Sequence, residues 1–350
     1  MATSSLIHIF VWGWAIEWVF FFIEIAAALI YYKTWDKIDR TTHLTIGWIY
    51  FIAAWMSLFV INGILSFMLT PGAWLTTKSF WDAFFNPTML PSMVMRSAVS
   101  LALAGLYALL TASNLNDQEL RTKMVKYSSK WLIIPFFVLP IAGFWYTLTI
   151  PQMALDIISG GAPAVTLFAA AGVGFSLLVF GFAYFLPYRH PDRFPTALGV
   201  MFLVLGLMVT GVSEWVREAI RKPYVIYNYL YSNNVFEYEK DNFRTNGILH
   251  NSKWVTVKSI ETADTSMNEQ KRLTAGAEIF RLQCQSCHTI QGYNGIKILV
   301  KGWQQPFVED QLKHLNQLKG FMPPFMGSDS ERKALAKWLY DLNRKKGGLE

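Results

Sequence analysis

Cysteine is nearly absent: the 350-residue chain has two, Cys284 and Cys287. A disulfide framework is therefore excluded, and two cysteines three positions apart call for explanation as a site. Charge is scarce too. Asp, Glu, Lys and Arg make up 16% of residues against 53% apolar, and mean hydropathy is positive, which is too apolar for a soluble enzyme of this size. Histidine is limited to six residues: His8, His43, His190, His250, His288 and His314. There is no long Gly/Ser tract and no internal repeat. The net charge of +7 is spread over loops and tail with no aromatic-interleaved basic patch, which argues against nucleic acid as a partner.

The apolar residues concentrate in six runs, at 5–32, 43–70, 90–112, 131–151, 163–187 and 194–219. Each is long enough for a bilayer, which needs about 20 residues. The first run has no positive leading segment, is long, and carries Glu17 and Glu24, so we expect it to remain as a membrane helix rather than be cleaved. Loops after runs one, three and five hold Lys33, Lys37, Arg40, Arg121, Lys123, Lys126, Lys130, Arg189 and Arg193; those after runs two and four hold Lys78 alone. This asymmetry puts the first set in the cytoplasm and both termini outside.

After residue 220 the chain turns polar. Within this part, Cys284-Gln285-Ser286-Cys287-His288 has the form of a covalent haem attachment site: two thiols add across the vinyl groups of one haem while the adjacent imidazole binds iron. A bare C-x-x-C-H also suits a zinc or redox pair, but zinc wants four ligands and only His314 is at hand. Gly276 and Phe280 precede the motif as G-x-x-x-F-x-x-x-C, and Met322, 34 residues after His288, lies in Phe321-Met322-Pro323-Pro324-Phe325. These features resemble the small monohaem (class I) cytochromes c. The resemblance implies one covalent haem c held by Cys284 and Cys287, with His288 and Met322 as axial ligands and Met326 as the near rival.

The chain thus reads as all-α in three parts: a six-helix membrane domain at 1–220, an ordered surface arm at 221–267 lying on the membrane or a partner, and a small all-α cytochrome c domain at 268–350. In the last part we expect a helix leading into the motif, a middle helix around 306–318, and a closing helix around 329–343 with an N-cap region at Ser328–Glu331.

Ionisable groups inside a bilayer are site candidates. Glu17 and Glu24 are two helical turns apart on one face, read either as satisfied carboxylates or as a proton path or haem contact. Arg96 is expected to snorkel to the outer surface, and Glu214, Arg217, Glu218 and Arg221 to form an interfacial i,i+4 ion-pair ladder. Only His8 lies within a membrane run, which excludes two bis-His haems.

The membrane part resembles a shortened subunit I of the cytochrome bd-type quinol oxidases. Ala15-Ile16-Glu17 with Phe20–Glu24 looks like the family's third helix and its two inner glutamates. Trp35-Asp36, His43, Trp55, Asn62-Gly63 and Asn86-Pro87 follow in order. Arg217-Glu218-Ala219-Ile220-Arg221-Lys222-Pro223-Tyr224 is similar to the family's E-x-G-R-Q-P-W segment. The resemblance implies haem ligation at Glu218 and a propionate or charge-pairing role at Arg221. There are departures. The family's first two helices, with the His of the oxygen-reacting haem, have no counterpart; the low-spin haem His falls on Met95; and the quinol loop shrinks to Pro151–Pro163.

The leading expectation is a multi-pass cytochrome subunit of a respiratory redox complex in the bacterial inner membrane. Its N-terminus and cytochrome domain are periplasmic, and its partners are other membrane subunits, a redox carrier on the outer face, and lipid. The alternatives are a bd-like quinol-oxidising or oxygen-reducing subunit with a membrane haem b or d, and a haem-free anchor that tethers the cytochrome. No membrane haem is expected within this chain alone, and quinone binding is left open. Reporter fusions test the topology: fusions after Lys126 should be active on the cytoplasmic side and fusions after Gly160 outside, and a reversal would undo the six-helix count.

Overall fold

The computed structural model describes residues 2–260, 268–292, 294–318 and 320–344, which divide into two compact units, Thr3–Arg221 and a carboxy-terminal unit beginning at Lys222. Among the described residues of the first unit, six spans are long and apolar enough to cross a membrane. They are built on α1 Val11–Lys33, α2 Arg40–Phe67, α3 Met89–Ser113, α4 Ile133–Thr149, α5 Pro163–Ala183 and α6 Thr196–Ala219.

Local chemistry sets their ends. Asp39 caps α2, its Oδ2 accepting from the Thr42 N–H at 2.9 Å. Pro163 opens α5 at a position where a missing N–H costs nothing. The apolar run at 5–32 is not one helix. It divides at Phe10, between Ala2–Ile9 and α1, where the fully buried Phe10 ring packs edge-on against Phe67 at 5.0 Å. The fourth span reaches back to Gln118, whose helix is capped by Asp117.

Helix α1 runs antiparallel to α2 in a register fixed by three pairs: Gly13 against Ile64, Glu17 against Ser57, and Tyr31 against Gly47. Helix α3 packs on α2, α4 and α6, and α5 pairs with α6.

In the carboxy-terminal unit, α7 Glu269–Gln283 crosses α9 Asp329–Arg344. Gly276 marks the crossing, since a Cβ there would lie 2.4 Å from the Ala334 carbonyl oxygen and 2.6 Å from Trp338 Cβ. Phe280 and Trp338 meet beside it at 5.0 Å. The expected middle helix is broken at His314 into α8 Gln305–Lys313 and a turn at Leu315–Leu318.

Residues 222–260, expected to lie on the membrane or a partner, pack on the haem-motif helices. The rest of the expected arm lies outside the described residues. The segment forms a hairpin, β1 Tyr224–Ile226 with β2 Leu230–Tyr231, a small β addition to an all-α chain. Tyr231, Val235, Ile248, Leu249 and Val257 share one core with Ala275, Ile279, Phe280, Leu335 and Leu339. The physical reason is that a domain this small has little core of its own.

Two buried carboxylates fasten the segment. Glu331 accepts from the Ile248 and Leu249 N–H groups at 3.0 and 2.9 Å, and from the Ser328 N–H at 2.9 Å. The Glu331 N–H returns a bond to Ser328 Oγ at 3.3 Å, completing a capping box at the head of α9. Gly247, at φ +83°, admits this carboxylate, because a Cβ would lie 2.6 Å from Oε1. Glu278 likewise accepts from the Thr256 and Val257 N–H groups at 2.7 and 3.1 Å.

Burial alone would raise the Glu278 pKa, but these backbone donors, with Arg281 nearby, hold it below the ordinary glutamate value. Its contribution to stability is therefore complete above the unfolded pKa of about 4.3 and is lost as pH falls through the lower folded value. The excess thermal stability of the native protein over Glu278→Gln should be constant from pH 7 to about 5 and shrink on further acidification. A difference that widens in acid would contradict the assignment.

Candidate haem site and membrane charge cluster

Helix α7 ends at the first cysteine of the motif. The Cys284 N–H bonds back to the Phe280 carbonyl at 2.8 Å, and the Cys287 and His288 N–H groups both return to the Cys284 carbonyl, at 3.0 and 2.9 Å. This single turn presents two free thiols and then the imidazole. Burial, with Cys287 beside it, pushes the Cys284 thiol up to about 12.

His288 Nδ1 lies 3.4 Å from the Asn294 carbonyl oxygen. A carbonyl only accepts, so this contact is a hydrogen bond when Nδ1 carries the proton, the tautomer that leaves the lone pair on Nε2. Asn294, at φ +57°, also donates from Nδ2 to the Cys287 carbonyl at 2.6 Å. Sequence reasoning missed this residue, although Asn294-Gly295 is a recognisable turn signal.

Gln283 was missed as well. The residue before Cys284, it clasps the backbone of Met326 from both sides: the Met326 N–H donates to Oε1 at 2.9 Å and Nε2 donates to the Met326 carbonyl at 2.5 Å. The Met326 side chain is fully buried in the core, whereas Met322 is half-buried on the coil before α9. Among the described residues no group of three or more His, Cys, Asp or Glu is placed to hold a metal ion. His314, the one extra zinc candidate, closes α8, with Nδ1 3.1 Å from the Asp310 carbonyl. Two thiols, one imidazole and a thioether on a tethered loop fit a haem c.

The membrane candidates fall in two places. Glu17 lies in the α1–α2 pair, accepting from Ser57 Oγ at 3.1 Å, and the register sets Glu24 level with Ala53 and Ala54. Glu218 and Arg221 lie at the end of α6, where Arg221 Nη1 reaches Met68 Sδ at 2.9 Å. Met68, just beyond α2, is eleven positions after Ser57, roughly 16 Å along the axis. Glu17 and Glu24 therefore lie apart from Glu218 and Arg221. Arg96 does not snorkel: it pairs across the bundle with Glu214 at 2.8 Å, because a carboxylate on α6 offers it a partner without leaving the protein. Glu214 also pairs with Arg217 at 2.8 Å and Glu218 pairs with Arg221, so the ladder runs i,i+3 rather than i,i+4.

Residues 6–153 match the family model of cytochrome bd terminal oxidase subunit I, and residues 271–339 that of subunit III of cbb3-type cytochrome c oxidase. The chain fuses a bd-oxidase-like membrane region to a c-type cytochrome domain. No curated protein and no solved structure matches it significantly. The fusion makes the protein a membrane-bound, haem-carrying cytochrome of respiratory electron transfer, with redox partners. The first match ends before α5, so the likeness of Arg217–Tyr224 to the oxidase segment rests on those residues alone.

Proposed function

We propose that this cytochrome is a membrane-anchored subunit of a bacterial respiratory complex, relaying single electrons through one covalent haem c on the periplasmic face of the inner membrane. The observation that carries the reading is the turn at Cys284–His288, which presents both thiols and the imidazole in succession, with His288 Nδ1 3.4 Å from the Asn294 carbonyl oxygen. A bound haem supplies a reversible one-electron couple. The chain's own residues hold and orient it: Cys284 and Cys287 through thioethers, His288 through Nε2, and Met322 through its sulfur. His/Met ligation favours a relatively high potential.

Core packing engages Met326 elsewhere, which supports Met322 as the sixth ligand. The Lys/Arg asymmetry of the loops supports the outward orientation. The pairing of Glu218 with Arg221 supports a membrane region that binds no haem within this chain, the carboxylate being already engaged. Other subunits of the complex and a carrier at the outer face are the partners this reading requires.

Pyridine haemochrome spectra of the purified chain test it: one haem c and no haem b or d per chain is expected. A noncovalent haem that disappears in Glu218→Ala would replace this reading with a bd-like oxidase subunit. The axial assignment is tested separately. Met322→Ala should abolish the weak thioether-to-iron band at the red end of the visible spectrum and lower the potential. Met326→Ala should keep the band while destabilising the fold by about 2–5 kcal/mol through a core cavity. The opposite pattern would transfer the ligand role to Met326.

A further inference from the structure

At the end of the bundle where α2 and α6 finish and α3 begins, a cavity of about 20 Å³ is lined by Asn62, Ser92, Arg96, Tyr146, Arg217 and Arg221 among others. Among the described residues lining it, three are arginines and none is acidic. The two nearby carboxylates, Glu214 and Glu218, are about half exposed, and each holds its arginines from outside the cavity. Three guanidinium groups against two carboxylates leave one positive charge uncompensated.

Arg221 is the most enclosed of the three, its side chain 7% exposed. Its Nη atoms are taken by Met68 and Glu218, but its buried Nε makes no hydrogen bond among the described residues. Other polar groups here are already occupied: Asn62 Nδ2 donates to the Met89 carbonyl at 2.9 Å, and Ser92 Oγ lies 3.1 Å from Asn62 Oδ1. The amino-terminal turns of α3, whose dipole is positive, also face this end. A buried positive charge with an unused donor is costly unless something negative shares the site.

We propose that this cavity binds one small monovalent anion of the halide class, held by Arg96, Arg217 and Arg221. Size decides the class. About 20 Å³ is open to a water-sized particle, which suits one halide better than a phosphate or a haem carboxylate with its stem. The anion brings the cluster to neutrality and accepts from Arg221 Nε, the buried donor that lacks a partner among the described residues. This assignment is independent of the haem reading, because every residue in it belongs to the membrane unit.

The test uses the full chain in lipid nanodiscs, with chloride as the probe, read by 35Cl line broadening at constant ionic strength. The native protein should give saturable excess broadening that bromide displaces and sulfate does not. Arg221→Gln and Arg96→Gln should each reduce that broadening at least fivefold. Glu218→Gln, which adds a net positive charge, should keep or tighten binding. Haem c absorbance and elution volume report folding, and if Arg221→Gln does not fold, Arg96→Gln decides alone. Broadening that does not saturate, or that is equal in native and arginine variants, overturns the proposal, as for a cavity holding water alone or closed by a lipid headgroup. The haem count is unchanged in every case.

Discussion

The side chain of Gln283 ties the two halves of the candidate haem site together. It stands directly before Cys284 and grips the backbone of Met326, four residues beyond Met322. The segment that carries the thiols and imidazole is thereby fixed to the loop that carries the thioether. Both bonds are buried, so each is worth more than a surface contact, and breaking either strands a polar group in the core. An electron carrier gains from such bracing. The less its ligands shift between oxidation states, the smaller the reorganisation each transfer requires. Asn294 does the same on the other side of the turn, holding both the Cys287 carbonyl and the His288 ring.

The next constraint is the small size of the cytochrome domain. Its crossing helices are close enough that only glycine fits at Gly276, yet their apolar faces are incompletely covered by each other. The segment that follows α6 completes the core, and its attachment is polar where it might have been greasy. Glu278 and Glu331 each gather backbone N–H groups that would otherwise be buried without partners. A negative carboxylate is a strong acceptor for such donors. The chain leaving the last membrane helix is consequently part of the haem-bearing unit, not a tether between two bodies.

What could be read in the sequence follows the range of the interactions. The six spans are legible because hydropathy is a local property, and the haem motif because its chemistry requires neighbours in sequence. The closing helix was legible from Ser328 and Glu331, a box of four residues. The second duty of Glu331 was not, since Ile248 lies 83 residues away. The Arg96–Glu214 pair joins residues 118 apart and left no pattern in either helix. The break at Phe10 was hidden for a different reason. The surrounding sequence is apolar, and Phe10 carries neither a capping side chain nor a proline or glycine to mark the division.

The membrane unit shows the same logic under a harsher solvent. Its outward faces are apolar, with Trp12, Trp18, Phe22 and Trp48 all exposed, as suits helices surrounded by lipid or by further membrane subunits. Arg96, Arg217 and Arg221 each have a carboxylate partner. Arg96 joins α3 to α6, and Arg221 joins the end of α6 to Met68 just beyond α2. These links hold the three helices at the end from which the chain continues into the cytochrome domain. Glu214 and Glu218, both about half exposed, hold these arginines from the rim of the bundle, so the polar contacts at this end join helix to helix.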